Sequence, residues 1–160
     1  MESGIYLLLG SNLGDRLVNL SDARGRIGSV LKESPVYITA AWGKEDQPEF
    51  YNQAIEIQTE LSPWELLRKV LDIEREMGRV RKERWGERLI DIDILFYNER
   101  VITDPGLKVP HPEIQNRRFA LAPLNDLAPA FVHPALNKTI DELLRECQDP
   151  LPVKRLQPQR

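Results

Sequence analysis

The residues of this sequence best suited to chemistry are two aspartates inside an apolar run. Asp91 and Asp93 lie in RWGERLIDIDILF at residues 84–96. Side chains alternate along a strand, so the carboxylates share one face, with Cα atoms about 6.5–7 Å apart, and the neighbouring isoleucines share the other. A polar strand face in solvent is one explanation, but aspartate is a poor strand former and like charges on one face repel. The pair therefore favours a bound cation in a cleft, and Mg²⁺, which prefers carboxylate oxygen, is the natural candidate.

A basic segment precedes the aspartates, and arginine outnumbers lysine in it: Arg75, Arg79, Arg81, Arg84 and Arg88, with Lys82. A solvated loop can have this composition, but the planar guanidinium group also matches phosphate oxygens. Carboxylates for Mg²⁺ and arginines for phosphate are what phosphoryl transfer from a nucleotide requires. The sequence has no G-x-x-x-x-G-K-[ST] loop and no protein-kinase motifs, which excludes those two large classes.

Hydrophobic periodicity predicts the elements that must position these residues. Strands are expected at residues 5–9, 36–39, 50–58 and 89–96, with residues 97–102 as the hairpin partner of the last. Helices are expected from an Asp15 cap to about residue 31, from a Ser62 cap to Gly78, over 117–127 with a break at Pro123, and from a Thr139 cap to about Cys147. Residues 105–112 are expected to be irregular. Glu74 falls within the apolar arc of its helix, which suggests an edge residue paired with arginine or a polar group facing a site at the sheet edge.

This order of elements predicts an α+β sandwich with a mostly antiparallel sheet, in one domain over residues 1–160 with a tail that frays after about 150. The net charge of −3 and the pI near 5.5 argue against a nucleic-acid partner. The first apolar run is too short for a signal peptide or a membrane span, and the single cysteine fits a reducing compartment. We therefore expect a cytoplasmic protein with neither a membrane nor a nucleic-acid partner.

The motif R-W-G-E-R-x-x-D-I-D-I-L at residues 84–95 resembles the signature of the 6-hydroxymethyl-7,8-dihydropterin pyrophosphokinase family. The resemblance continues in register with LGSNLGDR at 9–16, DQPEFYN at 46–52, GRVR at 78–81, VPHP at 109–112 and NRRFALAPL at 116–124. It implies a monomeric enzyme that transfers pyrophosphate from ATP to the hydroxymethyl group of a dihydropterin, releasing AMP, in folate biosynthesis. It also implies two Mg²⁺ ions and a single-domain three-layer α-β-α sandwich with a ferredoxin-like core.

The resemblance assigns roles to individual side chains. Asp91 and Asp93 would bind the ions, and Arg79 and Arg88 would be the catalytic arginines. The implied ATP-binding residues are Glu74, Arg81, Trp85, Ile94, Lys108, His111 and Arg117. The implied pterin-binding residues are Thr39, Ala40, Trp42, Phe50, Asn52 and Phe119. Where many relatives have Thr-Pro-Pro, this chain has Thr39-Ala40-Ala41, so we expect a less rigid loop.

Three other functions stay open at this point. The arginine-rich segment with Trp85 could form a small RNA- or DNA-binding domain, although the aspartate pair would repel a phosphate chain. The same acidic and basic residues could serve a metal-dependent phosphohydrolase that uses water as its nucleophile. A non-catalytic nucleotide-binding module would bind ATP without producing AMP.

Overall fold

The structure is a computed structural model that describes residues 4–39, 48–78 and 89–156. Its strands are β1 (Ile5–Ser11), β2 (Val30–Glu33), β3 (Tyr37–Thr39), β4 (Phe50–Ile57), β5 (Asp91–Tyr97), β6 (Ile102–Asp104), β7 (Leu107–Val109) and β8 (Val153–Arg155). Its α-helices are α1 (Arg16–Ile27), α2 (Pro63–Met77), α3 (Arg118–Leu127) and α4 (Ile140–Glu146). A 3-10 turn, Ile114–Asn116, precedes α3.

The described strands form one six-stranded sheet and one separate hairpin. The strand order in the sheet is β5-β1-β4-β3-β8, with β2 also paired to β4, and each of these pairings is antiparallel. β6 and β7 form the hairpin. This strand order confirms the mostly antiparallel α+β sheet with a ferredoxin-like core. Within the described ranges, none of the helices is both long enough and apolar enough to span a bilayer.

The helices cover the sheet on both faces. Leu7 and Leu9 of β1 point toward α1 and α2, and this core cluster also contains Leu20 and Leu66 from the helices. Leu8, one residue out of phase, points toward α3 and α4 in a second cluster. The alternation along β1 therefore supplies both cores, which confirms the three-layer α-β-α arrangement.

Local capping signals define two of the helices as predicted. Ser62 accepts a hydrogen bond from the backbone of Glu65, whose side chain accepts one from the backbone of Ser62 in return. Thr139 and Glu142 form the same reciprocal pair at the start of α4. Each such cap stabilises its helix by about 1 kcal/mol.

Two predicted boundaries were wrong. α1 ends at Ile27 rather than near residue 31, because Gly28 and Ser29 adopt φ angles of 74° and 52°, which end a helix, and the chain then enters β2. α3 is not broken at Pro123 but runs through it. A mid-helix proline costs about 3 kcal/mol, and the full burial of Leu121 and Leu124 offsets that cost at about 1.5–3 kcal/mol each.

Three further expectations were wrong, and all three concern which segments pair as strands. The segment after β5 does not return along β5. Instead, β6 pairs with β7, and β7 lies in a stretch predicted to be irregular. The backbone N–H of Ile92, on the free edge of β5, instead donates to the Glu74 carboxylate of α2. Residues 153–155, expected to fray, form β8 on the edge of β3.

Candidate active site

One pocket brings together most of the predicted site residues that the structure describes. It opens where β1, β3, β4 and β5 approach the start of α3, and its volume is about 160 Å³. The lining residues are Leu8, Gly10, Thr39, Phe50, Asn52, Asp91, Asp93, Arg117, Phe119 and Leu151. The predicted carboxylates and the predicted ring-holding residues therefore share one cavity.

The aspartates occupy one face of β5, as their alternation predicts. Asp91 is opposite Gly10 and Asp93 is opposite Leu8 in the register with β1. Both are half-buried, whereas Ile92 between them is buried on the other face. Two neighbouring oxygen ligands suit Mg²⁺, which keeps several waters and takes further ligands from phosphates. No cluster of three or more potential metal ligands occurs in the described part of the chain.

The face of β5 that carries the aspartates becomes apolar farther along the strand. The register shifts between Tyr6 and Leu7, so that Phe96 pairs with Tyr6 while Ile94 pairs with Leu7. The extra residue, Leu95, is a β-bulge that places both Leu95 and Phe96 in the core beneath α3 and α4. The bulge therefore adds Phe96 to the second core, on the side of the sheet that carries the aspartates.

Glu74 lies at the exposed edge of the same strand. One of its carboxylate oxygens accepts a hydrogen bond of 2.7 Å from the backbone N–H of Ile92. This contact places the Glu74 carboxylate at the edge of the sheet, on a backbone donor of β5. The side chain covers a backbone donor that an unpaired strand edge would otherwise expose.

Asn52 is held rigidly on the opposite side of the pocket. It is only 4% exposed, and its amide nitrogen donates a hydrogen bond of 3.1 Å to the hydroxyl of Thr39, which is equally buried. Its amide oxygen lies against Gly10, where an added Cβ atom would approach to 2.8 Å. Phe50 and Phe119 supply aromatic walls nearby. Aromatic faces with one fixed amide suit a flat heterocycle that carries hydrogen-bond donors and acceptors.

Arg117 and His111 supply positive charge and a hydrogen-bond donor beside Asp93. Both residues line a small cavity that Asp93 also borders. Burial lowers the pKa of His111 below its usual 6.5; the charge of Asp93 opposes the shift and that of Arg117 adds to it. Burial therefore favours the neutral form of His111. Its Nδ1 accepts the backbone N–H of Glu113 at 3.2 Å, which assigns the proton to Nε2 and leaves that N–H as a donor.

The GSNLGDR segment at residues 10–16 holds the start of β4 in place, a role that the sequence did not predict. Asn12 is fully buried and donates to the backbone oxygen of Pro48 at 3.3 Å. Arg16 donates to the backbone oxygen of Glu49 at 2.7 Å and stacks on the ring of Tyr51 at 3.8 Å. These contacts fasten the chain immediately before β4. The segment therefore positions the residues that bring Phe50 and Asn52 into the pocket.

The remaining predicted residues lie elsewhere. Ile94 is 6% exposed and belongs to the core on the side of α1 and α2. Lys108 is an exposed residue of β7 and lines a different cavity, shared with His111. The six other predicted positions lie outside the described residues: Ala40, Trp42, Arg79, Arg81, Trp85 and Arg88. The pocket adds Leu8 and Leu151, for which the sequence carried no recognised signal, and Gly10, which lies in the LGSNLGDR motif but received no predicted role.

Comparison of the sequence with protein families matches residues 6–129 to the family described as 7,8-dihydro-6-hydroxymethylpterin-pyrophosphokinase. A 2-amino-4-hydroxy-6-hydroxymethyldihydropteridine pyrophosphokinase of Aquifex aeolicus is 42% identical over 145 residues, or 89% of this chain and 91% of the relative. The Bacillus subtilis protein of the same name is 41% identical over 147 residues, which cover 89% and 88% of the two chains.

Longer relatives contain the same unit. The folic acid synthesis protein FOL1 of Dictyostelium discoideum is 39% identical over 142 residues, which are 87% of this chain but 22% of the relative. The crystal structure of wild-type Plasmodium falciparum HPPK-DHPS with STZ-DHP superposes with a TM-score of 0.71 at 18% identity. That match covers 91% of this chain and 43% of the Plasmodium chain, and it shows a shared fold.

Proposed function

Since this chain belongs to the 7,8-dihydro-6-hydroxymethylpterin-pyrophosphokinase family, we propose that it transfers pyrophosphate from ATP to 6-hydroxymethyl-7,8-dihydropterin. The products are AMP and the pterin diphosphate, a step of folate biosynthesis. The observation that carries the proposal is that Asp91 and Asp93 line the same pocket as Asn52 and two phenylalanines. A dihydropterin held by the amide and the rings would bring its hydroxymethyl group toward the carboxylates. Such positioning supplies much of the rate enhancement in phosphoryl transfer.

The pterin side of the site contains a rigid frame formed by Asn52 and Thr39. Asn52, fixed by Thr39, reads the hydrogen-bonding edge of the heterocycle, while Phe50 and Phe119 hold its faces. Ala40 and Trp42 complete this side in the proposal. Because Asn52 and Thr39 are both buried and bonded to each other, the frame is already in place before the substrate binds.

The nucleotide side of the site carries the charges. Asp91 and Asp93 would hold two Mg²⁺ ions, which neutralise the triphosphate and make its β-phosphorus electrophilic. Arg117 and the Nε2–H of His111, which border the same small cavity as Asp93, would donate to phosphate oxygens. Arg79 and Arg88 are the proposed catalytic arginines. The other proposed ATP contacts are Glu74, Arg81, Trp85, Ile94 and Lys108.

The reaction needs one bond to form and one to break. The hydroxymethyl oxygen attacks the β-phosphorus, the bond from that phosphorus to the α,β-bridging oxygen breaks, and AMP leaves with that oxygen. The hydroxyl proton is released to water or to a phosphate oxygen. A monomeric enzyme and a cytoplasmic location, both expected from the sequence, remain predictions.

Phosphorus NMR of the protein with ATP, Mg²⁺ and the hydroxymethyl dihydropterin tests the reaction. AMP and a pterin diphosphate are expected in equal amounts. ADP with a pterin monophosphate would contradict pyrophosphoryl transfer. AMP release that ignores the pterin would instead indicate a phosphohydrolase, and ATP binding without any AMP would indicate a binding module.

The metal assignment has a matched pair of variants. Asp93→Asn should lower kcat by at least about 10²-fold at saturating Mg²⁺, since it removes a charged oxygen ligand. Asp22→Asn, which removes a surface carboxylate paired with Arg26 at 3.0 Å, should leave kcat unchanged. Near-normal turnover of Asp93→Asn would overturn the metal site.

A further inference from the structure

The chain after α4 is tied to the first turn of α3 by a compact set of hydrogen bonds. Asp149 accepts the backbone N–H of Arg118 at 3.1 Å through one carboxylate oxygen and that of Leu151 at 3.0 Å through the other. The guanidinium group of Arg118 donates to the backbone oxygens of Cys147 and Asp149 at 3.0 and 3.1 Å. A carboxylate at a helix N-terminus is also favoured by the helix dipole. This set of bonds fixes the backbone on the N-terminal side of Leu151.

A second set of contacts fixes the chain on the other side of Leu151. β8 pairs with β3 in a register that places Val153 opposite Thr39. Arg155 donates to Asp126 at 3.1 Å and to the Tyr37 hydroxyl at 3.2 Å, and that hydroxyl donates to Asp126 in turn. Leu151 is therefore held between two anchors.

Leu151 is the residue of this segment that lines the pocket, where it stands with Asn52 and Phe119. We propose that Leu151 is an acceptor-binding residue whose side chain forms one wall of the dihydropterin site, and that Asp149 is the residue that positions it. The inference rests on the proposed function. Leu151 contacts the heterocycle, whereas Asp149 acts through the backbones of Leu151 and Arg118.

A purely structural role makes a different prediction. β8 covers the edge of β3, and covering an edge is useful to a fold whatever the pocket binds. In that case, shortening Leu151 would lower stability and leave the affinity for the dihydropterin unchanged. Affinity and stability must therefore be measured separately.

The test compares Leu151→Ala with Leu144→Ala. Leu144 is also half-buried, packs against the second core from α4, and is absent from the pocket. Leu151→Ala should raise the Kd for the hydroxymethyl dihydropterin about 10–100-fold, the range for lost apolar contacts in a binding pocket. That Kd is measured by calorimetry with Mg²⁺ and a non-hydrolysable ATP analogue present. The Kd of the analogue should change less than about twofold, and Leu144→Ala should change neither constant.

Two further variants probe the positioning and guard against a misfolded protein. Asp149→Ala should raise the dihydropterin Kd in the same direction but less, because Leu151 is then loosely held. Leu151→Met, which keeps most of the volume, should fold and bind within about threefold of wild type if the side chain acts as an apolar wall.

The outcomes separate the inference from the proposed function. A wild-type protein that binds the dihydropterin but makes no AMP would contradict the proposed pyrophosphoryl transfer. The Kd values of the Leu151 variants would still support Leu151 as a wall of the dihydropterin site. Unchanged dihydropterin affinity in a folded Leu151→Ala protein would overturn the inference alone. Equal losses in Leu151→Ala and Leu144→Ala would do the same, since they would indicate general loosening.

Discussion

Replacing Gly10 with alanine should damage the site while leaving the fold in place. Gly10 lies in β1 with no positive φ angle, so its backbone accepts alanine. The new Cβ atom would lie 2.8 Å from the amide oxygen of Asn52 and 3.6 Å from a ring carbon of Phe50. Asn52 must retreat by roughly 0.6 Å to restore van der Waals distance. That movement loosens its hydrogen bond of 3.1 Å to Thr39.

The magnitude follows from these contacts. Overpacking costs about 1–3 kcal/mol, and the reduced freedom of the unfolded chain returns about 0.5–1 kcal/mol. The free energy of unfolding should therefore fall by between about 0 and 2.5 kcal/mol. Since a misplacement near 1 Å can cost about 10²-fold in rate, kcat/KM for the dihydropterin should fall by about 10–100-fold.

The assay is AMP formation against dihydropterin concentration, with urea unfolding of the same preparations. Gly25→Ala is the matched control, because an added Cβ there meets nothing within 4 Å and Gly25 lies inside α1. It should raise the free energy of unfolding by about 0.5–1 kcal/mol and leave kcat/KM unchanged. A Gly10→Ala protein with kcat/KM within twofold of wild type would refute the idea that Asn52 must stay in place.

Three further changes have defined outcomes. Arg88→Ala should slow single-turnover AMP formation by about 10²–10³-fold, and Arg88→Lys should recover little of it because an ammonium group lacks the planar fork; full recovery would reduce Arg88 to a point charge. Arg16→Ala removes the hydrogen bond to Glu49 and the stacking on Tyr51. The free energy of unfolding measured in urea should fall by about 1–2 kcal/mol, and the KM for the dihydropterin should rise. An unchanged KM would confine Arg16 to a structural role. Burial lowers the pKa of His133 from 6.5 in the folded protein. The contribution of neutral His133 to the free energy of unfolding is therefore complete above pH 6.5 and is lost as the pH falls through the folded-state pKa. His133→Asn keeps an acceptor for the two backbone N–H groups that bond to Nδ1. Between pH 7.5 and 5 this variant should lose less free energy of unfolding than wild type. An equal loss would exclude His133 as the source of the pH dependence.

The parts of the fold that the sequence predicted are those decided by neighbouring residues. Ser62 and Glu65 identify the start of α2 because both partners of the cap lie within one turn. The strand at residues 153–155 has no comparable local signal. It exists because Arg155 meets Tyr37 and Asp126 from β3 and α3, which are remote in sequence.

The site divides in the same way. The shared face of Asp91 and Asp93 follows from strand alternation alone, and the structure places both in one pocket. Gly10 and Leu151 could not be found by that reasoning, because their roles depend on which strand pairs with which. The expected role of Gly10 depends on the pairing of β1 with β4, which places Gly10 opposite Asn52. The expected role of Leu151 depends on Asp149 and β8, which hold the C-terminal segment beside the pocket.

The site is continuous with the core beneath α3. Tyr6, Leu8 and Phe96 fill that face of the sheet where helices cover it. Past the start of α3 the same face carries Asp93 and Asn52 instead. Strands whose far ends are fully buried cannot shift, so their polar ends are also held in place. Functional groups that are held in place in this way are effective because they need no rearrangement during the reaction. The boundary between core and site is therefore where a substitution should alter stability and activity together.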